Sequence, residues 1–190
     1  LEGSDVDEIL NIAESGTFCA GEGKVYEDYF MDEYSAQLAD RVRAACGSER
    51  PLEGRKIIVD AGNGAGGFFT EKVLKPLGAN TDGSVFLNPD GMFPNHAPNP
   101  EDKGAMAALK KAVLENHADL GIIFDTAVDR AGAVDVKGEE INRNRLIALI
   151  SARLLEKRKG TIVTDSVTSD GLTRFIEERG GKHHRYMRGY

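Results

Sequence analysis

The chain has no tryptophan, two cysteines and six prolines in 190 residues. It also has no apolar run near the roughly 20 residues needed to cross a bilayer, so a membrane-spanning helix is not expected. Cys19 and Cys46 stand apart from any Cys/His cluster at ligand spacing, which supports neither a disulfide framework nor a structural zinc site. Such sparing use of cysteine fits a reducing, cytoplasmic setting. Positive charge is in deficit, 24 Lys and Arg against 31 Asp and Glu, for a formal net charge of −7. A chain of that sign is repelled by a phosphate backbone, and no nucleic-acid partner is expected. The opening Leu1-Glu2-Gly3-Ser4-Asp5 lacks both the basic start and the apolar centre of a signal peptide, and its first residue is not Met. The chain is therefore expected to be a piece of something longer.

What is present is a globular mixture, 41% apolar and 29% charged, at a length that suits one large domain or two small ones. Apolar residues at 6, 9, 10 and 13 predict a helix over 5–14, stopped by Ser15-Gly16. Tyr26, Tyr29, Phe30, Tyr34, Leu38 and Val42 share a face of a second helix over 26–46. From Arg55 the pattern changes. Ile57-Ile58-Val59 is a β-branched strand that enters the glycine-rich Asp60-Ala61-Gly62-Asn63-Gly64-Ala65-Gly66-Gly67, followed by a helix to about Leu77. A weaker strand at 84–87 opens into a proline-rich loop over 88–100, long enough to suspect function. A helix over 101–117, with Met106, Leu109, Val113 and Leu114 on one face, precedes the apolar strand 120–124. A strand at 131–136 and a helix at 142–157 complete this unit, and 161–164, 170–179 and 183–187 read as strand, helix and strand.

Strands alternating with helices imply an α/β protein whose central part is a three-layer α/β/α domain. The expected division is 1–54, N-terminal helices ending a first domain; 55–158, an α/β/α domain with a small mixed sheet; and 159–190, the start of a further, partial α/β unit.

Two stretches could carry chemistry. Gly62-x-Gly64-x-x-Gly67, between a strand and a helix, has the spacing of a dinucleotide fingerprint, but only Asp82 falls near the ribose-binding acid expected about 20 residues on. A structural glycine turn is the competing reading. Asp125, Ala127 and Asp129 alternate at the end of an apolar strand, and an extended chain would point them to one side. Two carboxylates there form a hard oxygen site suited to Mg²⁺, and Arg130 offers a planar fork to a phosphate. Equally, the aspartates can cap a turn and Arg130 pair with one of them. His96 is read as a hydrogen-bonding residue of its loop, His183 and His184 as unable to share a metal, and Ser169 or Asp170 as a helix cap.

The stretch Ile122-Ile123-Phe124-Asp125-Thr126-Ala127-Val128-Asp129-Arg130 resembles the metal-binding loop of the α-D-phosphohexomutases, the phosphoglucomutase and phosphomannomutase family, with its pattern Asp-Gly-Asp-x-Asp-Arg. Val59 to Gly66 resembles the strand and glycine turn opening that family's second domain, and Phe93-Pro94-Asn95-His96-Ala97-Pro98-Asn99-Pro100-Glu101 resembles its Phe-Pro-x-His-x-Pro-Asn-Pro-Glu segment. The likeness reassigns the glycines to scaffold. It implies an isomerase that moves a phosphoryl group between the 1- and 6-positions of a hexose phosphate through a phosphoserine and Mg²⁺, with Asp125 and Asp129 as metal ligands and Arg130 on phosphate. Two departures stand out. Ala127 occupies the middle ligand position, so metal affinity is expected to fall. The family's serine-bearing segment and its sugar-contacting loops have no match; Ser166 and Ser169 lack the right flanks. The chain is therefore expected to be inactive alone, the alternative being a non-catalytic domain that binds a divalent metal or a phosphosugar.

Overall fold

A computed structural model describes residues 2–188. The chain divides into two compact units, Leu1–Phe30 and Met31–Tyr190. The first holds helix α1, Gly3–Ser15, which is closed at its start by reciprocal bonds between Glu2 and Asp5 and at its end by Gly16 in the left-handed conformation. The expected α1 thus forms, but its apolar positions Val6, Ile9 and Leu10 stay about half exposed.

Helix α2 runs Phe30–Cys46, shorter than the sequence suggested: Tyr26 and Tyr29 precede it and are largely exposed. Its seated face is Ser35, Leu38, Ala39 and Val42, a small-residue stripe at helical spacing, against Leu52, Phe68, Val73 and Leu77. Aromatic periodicity pointed to a neighbouring stripe, of which Leu38 and Val42 are the shared members.

Strands β1 (Ile57–Asp60), β2 (Leu120–Phe124) and β3 (Ala131–Asp135) form a sheet in the order β1-β2-β3. β1 and β2 are parallel, while β2 and β3 are antiparallel, so the sheet is mixed. Ile58, Ile123 and Val134 point to one face, where helix α3 (Lys103–Glu115) lays Ala105, Met106, Leu109, Ala112 and Val113 over them. Leu114 is on the outside of that helix, a correction to the expected face. Ile57, Val59 and Phe124 point to the opposite face, toward Phe69 and Leu74. Each fully buried Leu, Ile or Val contributes on the order of 1.5–3 kcal/mol of transfer free energy, so alternation along three short strands is what defines both layers.

Two expectations change in detail. The helix after the glycine turn is a 3-10 turn at Ala65–Gly67 followed by a π-helical turn at Phe69–Leu74. The strand expected at 84–87 is reduced to one bridge, between Asp60 and Val85, because Gly83 and Phe86 on either side adopt positive φ and the chain cannot stay extended.

Beyond the sheet, helix α4 (Arg143–Lys157) packs Leu155 against Leu172 and Ile176 of helix α5 (Asp170–Glu178), beside the parallel pair β4 (Thr161–Thr164) and β5 (Lys182–Arg185). The Ser169 hydroxyl caps α5 by accepting from the Leu172 amide. No helix among the described residues is long and apolar enough to cross a membrane.

Candidate functional site

The C-terminal ends of parallel strands are where open α/β sheets gather ligands, and the ends of β1 and β2 are adjacent. β2 continues into a turn that returns directly as β3, closed by Phe124 paired with Ala131 and by the Asp125 amide donating to the Arg130 carbonyl at 3.1 Å. Residues 125–130 are therefore a hairpin turn and not an extended segment. Asp129 is near enough to influence the Asp125 carboxyl, and turn geometry, not strand alternation, brings the two together. The turn requires a left-handed residue at Val128, φ 65°, an unusual conformation for a β-branched side chain.

Asp125 is buried, 3% exposed. One of its oxygens accepts from the Arg130 amide at 2.9 Å and the other from Arg130 Nε at 3.1 Å. Burial, the largest single influence, pushes its carboxyl upward, but the Arg130 amide, Asp129 and the Arg130 guanidinium together hold it below the ordinary carboxylate value. Asp129 and Ala127 are exposed. The Arg130 guanidinium is about half exposed and borders a cavity of about 180 Å³ lined with Pro100, Glu101, Ala131 and Arg143.

The proline-rich loop closes the site from the α3 side. Arg130 Nη1 donates to Asn99 Oδ1 at 3.2 Å, and the same oxygen accepts from the Glu101 amide at 3.0 Å. His96 reaches the end of β1. Its Nδ1 lies 2.9 Å from the Ala97 carbonyl, an acceptor, so Nδ1 carries a proton. Its Nε2 lies 2.9 and 3.1 Å from the two oxygens of Asp60, which is fully buried. One proton therefore sits between Nε2 and the carboxylate, and the pair is neutral as a unit. Burial raises the Asp60 carboxyl above the ordinary 3.8, against the lowering effects of His96 and the Gly62 amide. The Phe86 ring meets the imidazole edge to face at 5.3 Å.

The glycine turn has no face left for a pyrophosphate. A side chain at Gly62 would meet Pro98 and His96, one at Gly64 would lie 2.8 Å from the Thr126 carbonyl, and one at Gly67 would collide with the Leu87 carbonyl. The turn is a seat for the 96–98 and 125–130 loops, held further by the Ala65 amide donating to the Thr126 carbonyl at 2.9 Å.

Sequence reasoning brought together Asp125, Asp129 and Arg130 but missed Asp60 and Asn99. A charged residue at the end of a fully apolar strand was the available signal, since a buried carboxylate demands a partner. His183 sits between Thr164 and Thr173 at 2.8 and 2.7 Å, in a hydrogen-bonded cluster away from this site.

Residues 32–138 match the family model described as phosphoglucomutase/phosphomannomutase, alpha/beta/alpha domain II. The chain belongs to the phosphoglucomutase/phosphomannomutase family. A phosphoglucomutase of Neisseria meningitidis serogroup B is 34% identical over 185 residues, 96% of this chain and 38% of that protein. A phosphomannomutase/phosphoglucomutase of Pseudomonas syringae pv. tomato is 33% identical over 169 residues, 88% of this chain and 35% of that protein. The crystal structure of a phosphoglucomutase/phosphomannomutase family protein from Burkholderia thailandensis superposes on all of this chain and 40% of its own, with a TM-score of 0.84 at 26% identity. This member of the mutase family thus spans less than half the length of these relatives.

Set against that family, the donors fit a divalent cation only in part. Among the described residues no group of three or more His, Cys, Asp or Glu side chains gathers in one place. Two carboxylates do, and Mg²⁺ is commonly held by one or two carboxylates with water and phosphate oxygens completing its shell. Arg130 uses one acceptor position on each Asp125 oxygen, and each oxygen has two.

Proposed function

We propose that this chain is the metal-loop portion of a phosphosugar mutase, which moves a phosphoryl group between the 1- and 6-positions of a hexose phosphate by way of a phosphoserine. The observation that carries this reading is the hairpin turn 125–130, which brings Asp125, Asp129 and Arg130 together at the ends of two parallel strands. Asp125 and Asp129 would hold Mg²⁺, which when bound neutralises charge on the transferring phosphoryl group. Asp125 is kept ionised by Arg130, and each of its oxygens has one acceptor position beyond the bond from Arg130. Arg130, anchored through Nε to Asp125 and through Nη1 to Asn99, borders the cavity, where it would meet a phosphate oxygen. The hexose phosphate is the expected partner, and a cytoplasmic location is the setting consistent with this chemistry. We place no nucleophile in this chain, because no segment matches the family's serine motif, and the chain alone is inactive.

Ala127 favours a second reading. A methyl group where the family pattern has a carboxylate removes one oxygen and one negative charge, which suits a domain that binds metal or phosphosugar weakly without turnover.

Calorimetric titration of the chain with Mg²⁺ and Mn²⁺, beside the Ala127→Asp variant, tests the site. One-site binding that appears or tightens on Ala127→Asp supports the metal loop. Silence in both proteins removes it. Mutase turnover by the 190-residue chain would overturn the claim that it is inactive alone, and hexose-phosphate binding without turnover would favour the second reading.

A further inference from the structure

We infer that Asn99 is a positioning residue for Arg130: its side-chain oxygen fixes the plane of the Arg130 guanidinium, and the buried Asp60–His96 pair holds Asn99 in place. The inference rests on the reading of Arg130 as a phosphate ligand for its functional meaning, while the positioning itself stands on geometry alone.

Arg130 is attached to its own turn at its inner end, through Nε to Asp125 Oδ2. A single hydrogen bond at Nε does not by itself fix the plane of a guanidinium. A bond from a different nitrogen, Nη1 to Asn99 Oδ1 at 3.2 Å, constrains that plane. Asn99 is set independently of Arg130. Its Oδ1 also accepts from the Glu101 amide, its own amide donates to the Ala97 carbonyl at 2.8 Å, and its carbonyl accepts from the Asp102 amide at 2.9 Å. Both partners of Oδ1 are donors, so the oxygen and not the nitrogen must face them.

The loop that carries Asn99 is in turn fastened to the sheet. Three residues earlier, His96 bonds both oxygens of the buried Asp60, and Asn95 Nδ2 donates to Asn63 Oδ1 at 2.7 Å. Pro98 packs against Gly62, where a side chain would collide with it. The path therefore runs from the end of β1, through Asp60 and His96, along the loop to Asn99, across to Arg130 and back to Asp125 at the end of β2. Two neighbouring strand ends are tied by a closed circuit, and the guanidinium is the one member of it that faces the cavity. Holding a phosphate-binding fork in its working orientation beforehand removes an ordering cost from binding.

The test reads Arg130 directly. In the ¹H–¹⁵N spectrum of the chain, the Arg130 Nη resonances, assigned by their loss in Arg130→Lys, are expected to be split by slow rotation about the Nε–Cζ bond. Asn99→Ala should collapse that splitting, while the Nε–H, still bonded to Asp125 Oδ2, stays protected. Asn99→Asp, which keeps the acceptor for both Arg130 and the Glu101 amide, should restore the splitting. An Nη splitting unchanged in Asn99→Ala overturns the proposal, as does one that Asn99→Asp fails to restore while its urea midpoint matches that of the parent. Should Asn99→Ala not fold, His96→Gln supplies the comparison: it loosens the loop while Asn99 keeps its side chain, and it should weaken the Arg130 signature; an unchanged signature counts against the proposal. Titration with inorganic phosphate then separates the two readings. Binding that is lost in Arg130→Lys and about three- to tenfold weaker in Asn99→Ala supports both. No phosphate binding to the parent chain removes the reading of Arg130 as a phosphate ligand and leaves the spectroscopic result to decide the positioning.

Discussion

Removing the His96 imidazole should be among the most damaging single changes in the chain. The Asp60 side chain has no exposed surface and His96 only 8%, so His96→Ala leaves a carboxylate in the interior that keeps the bond from the Gly62 amide and loses its bonds to the imidazole. Breaking a buried pair from one side costs about 3–5 kcal/mol, because the surviving charge loses its compensation. Asp60→Asn is different in kind. The amide oxygen keeps the bond from Gly62, and the amide nitrogen donates to Nε2 of a neutral imidazole that already carries its proton on Nδ1. Every hydrogen bond survives and no charge is buried, so the expected cost is under about 1 kcal/mol. With both substitutions an unmet amide remains in place of an unmet charge, so the double variant should be more stable than His96→Ala alone, with a coupling of about 2 kcal/mol or more. Urea denaturation followed by far-ultraviolet circular dichroism, suited to a chain without tryptophan, gives the four free energies. The reasoning is refuted if His96→Ala costs less than about 1 kcal/mol, or if Asp60→Asn is as harmful as His96→Ala.

Gly67→Ala should destabilise more than Gly64→Ala, since the added carbon lies 1.9 Å from a backbone carbonyl in the first and 2.8 Å in the second; comparison of their urea midpoints checks the order. Asp125 makes the fold acid-sensitive. Because its carboxyl is lowered in the folded chain, its contribution is complete above the unfolded value near 3.8 and is lost as pH falls through the lower folded value. Asp60, raised by burial, acts with the opposite sign, its contribution declining as pH rises from 3.8 through its raised value. Asp125→Asn should therefore flatten the acid limb of a stability profile measured between pH 2 and 5, and an unchanged limb would assign that sensitivity elsewhere. Titration with NAD should give no heat, because the glycine turn is filled by neighbouring loops; saturable binding lost in Gly64→Ala would contradict that assignment.

The parts of the fold that were legible in the sequence are those governed by one local pattern. β4 carries its β-branched run between clear breaks, and β1, β2, α3, α4 and α5 fall within a few residues of their expected limits, each having a single period to read. The parts that were not legible depend on neighbours. Val85 pairs with β1 at one bridge only, and nothing local announces that Phe86 turns to positive φ. The expected helix becomes a 3-10 turn at Ala65–Gly67, where Gly66 and Gly67 lie against the Phe124 ring and the Leu87 carbonyl, followed by a π turn at Phe69–Leu74. At the site, Asp125, Asp129 and Arg130 were visible as a motif, yet the reason given for their convergence, strand alternation, belongs to a conformation the turn does not adopt. Asn99 and Asp60 act through partners 31 and 36 residues away in sequence, a separation at which spacing carries no information.

Because the turn 125–130 is closed by an antiparallel ladder, its length is not free to drift. An inserted residue has two places to go. Absorbed in the turn, it moves Asp129 away from Asp125. Passed into β3, it exchanges the two faces of that strand and carries Val134, now fully buried beneath α3, out to solvent. The loop can change its side chains, as Ala127 shows, far more readily than its count.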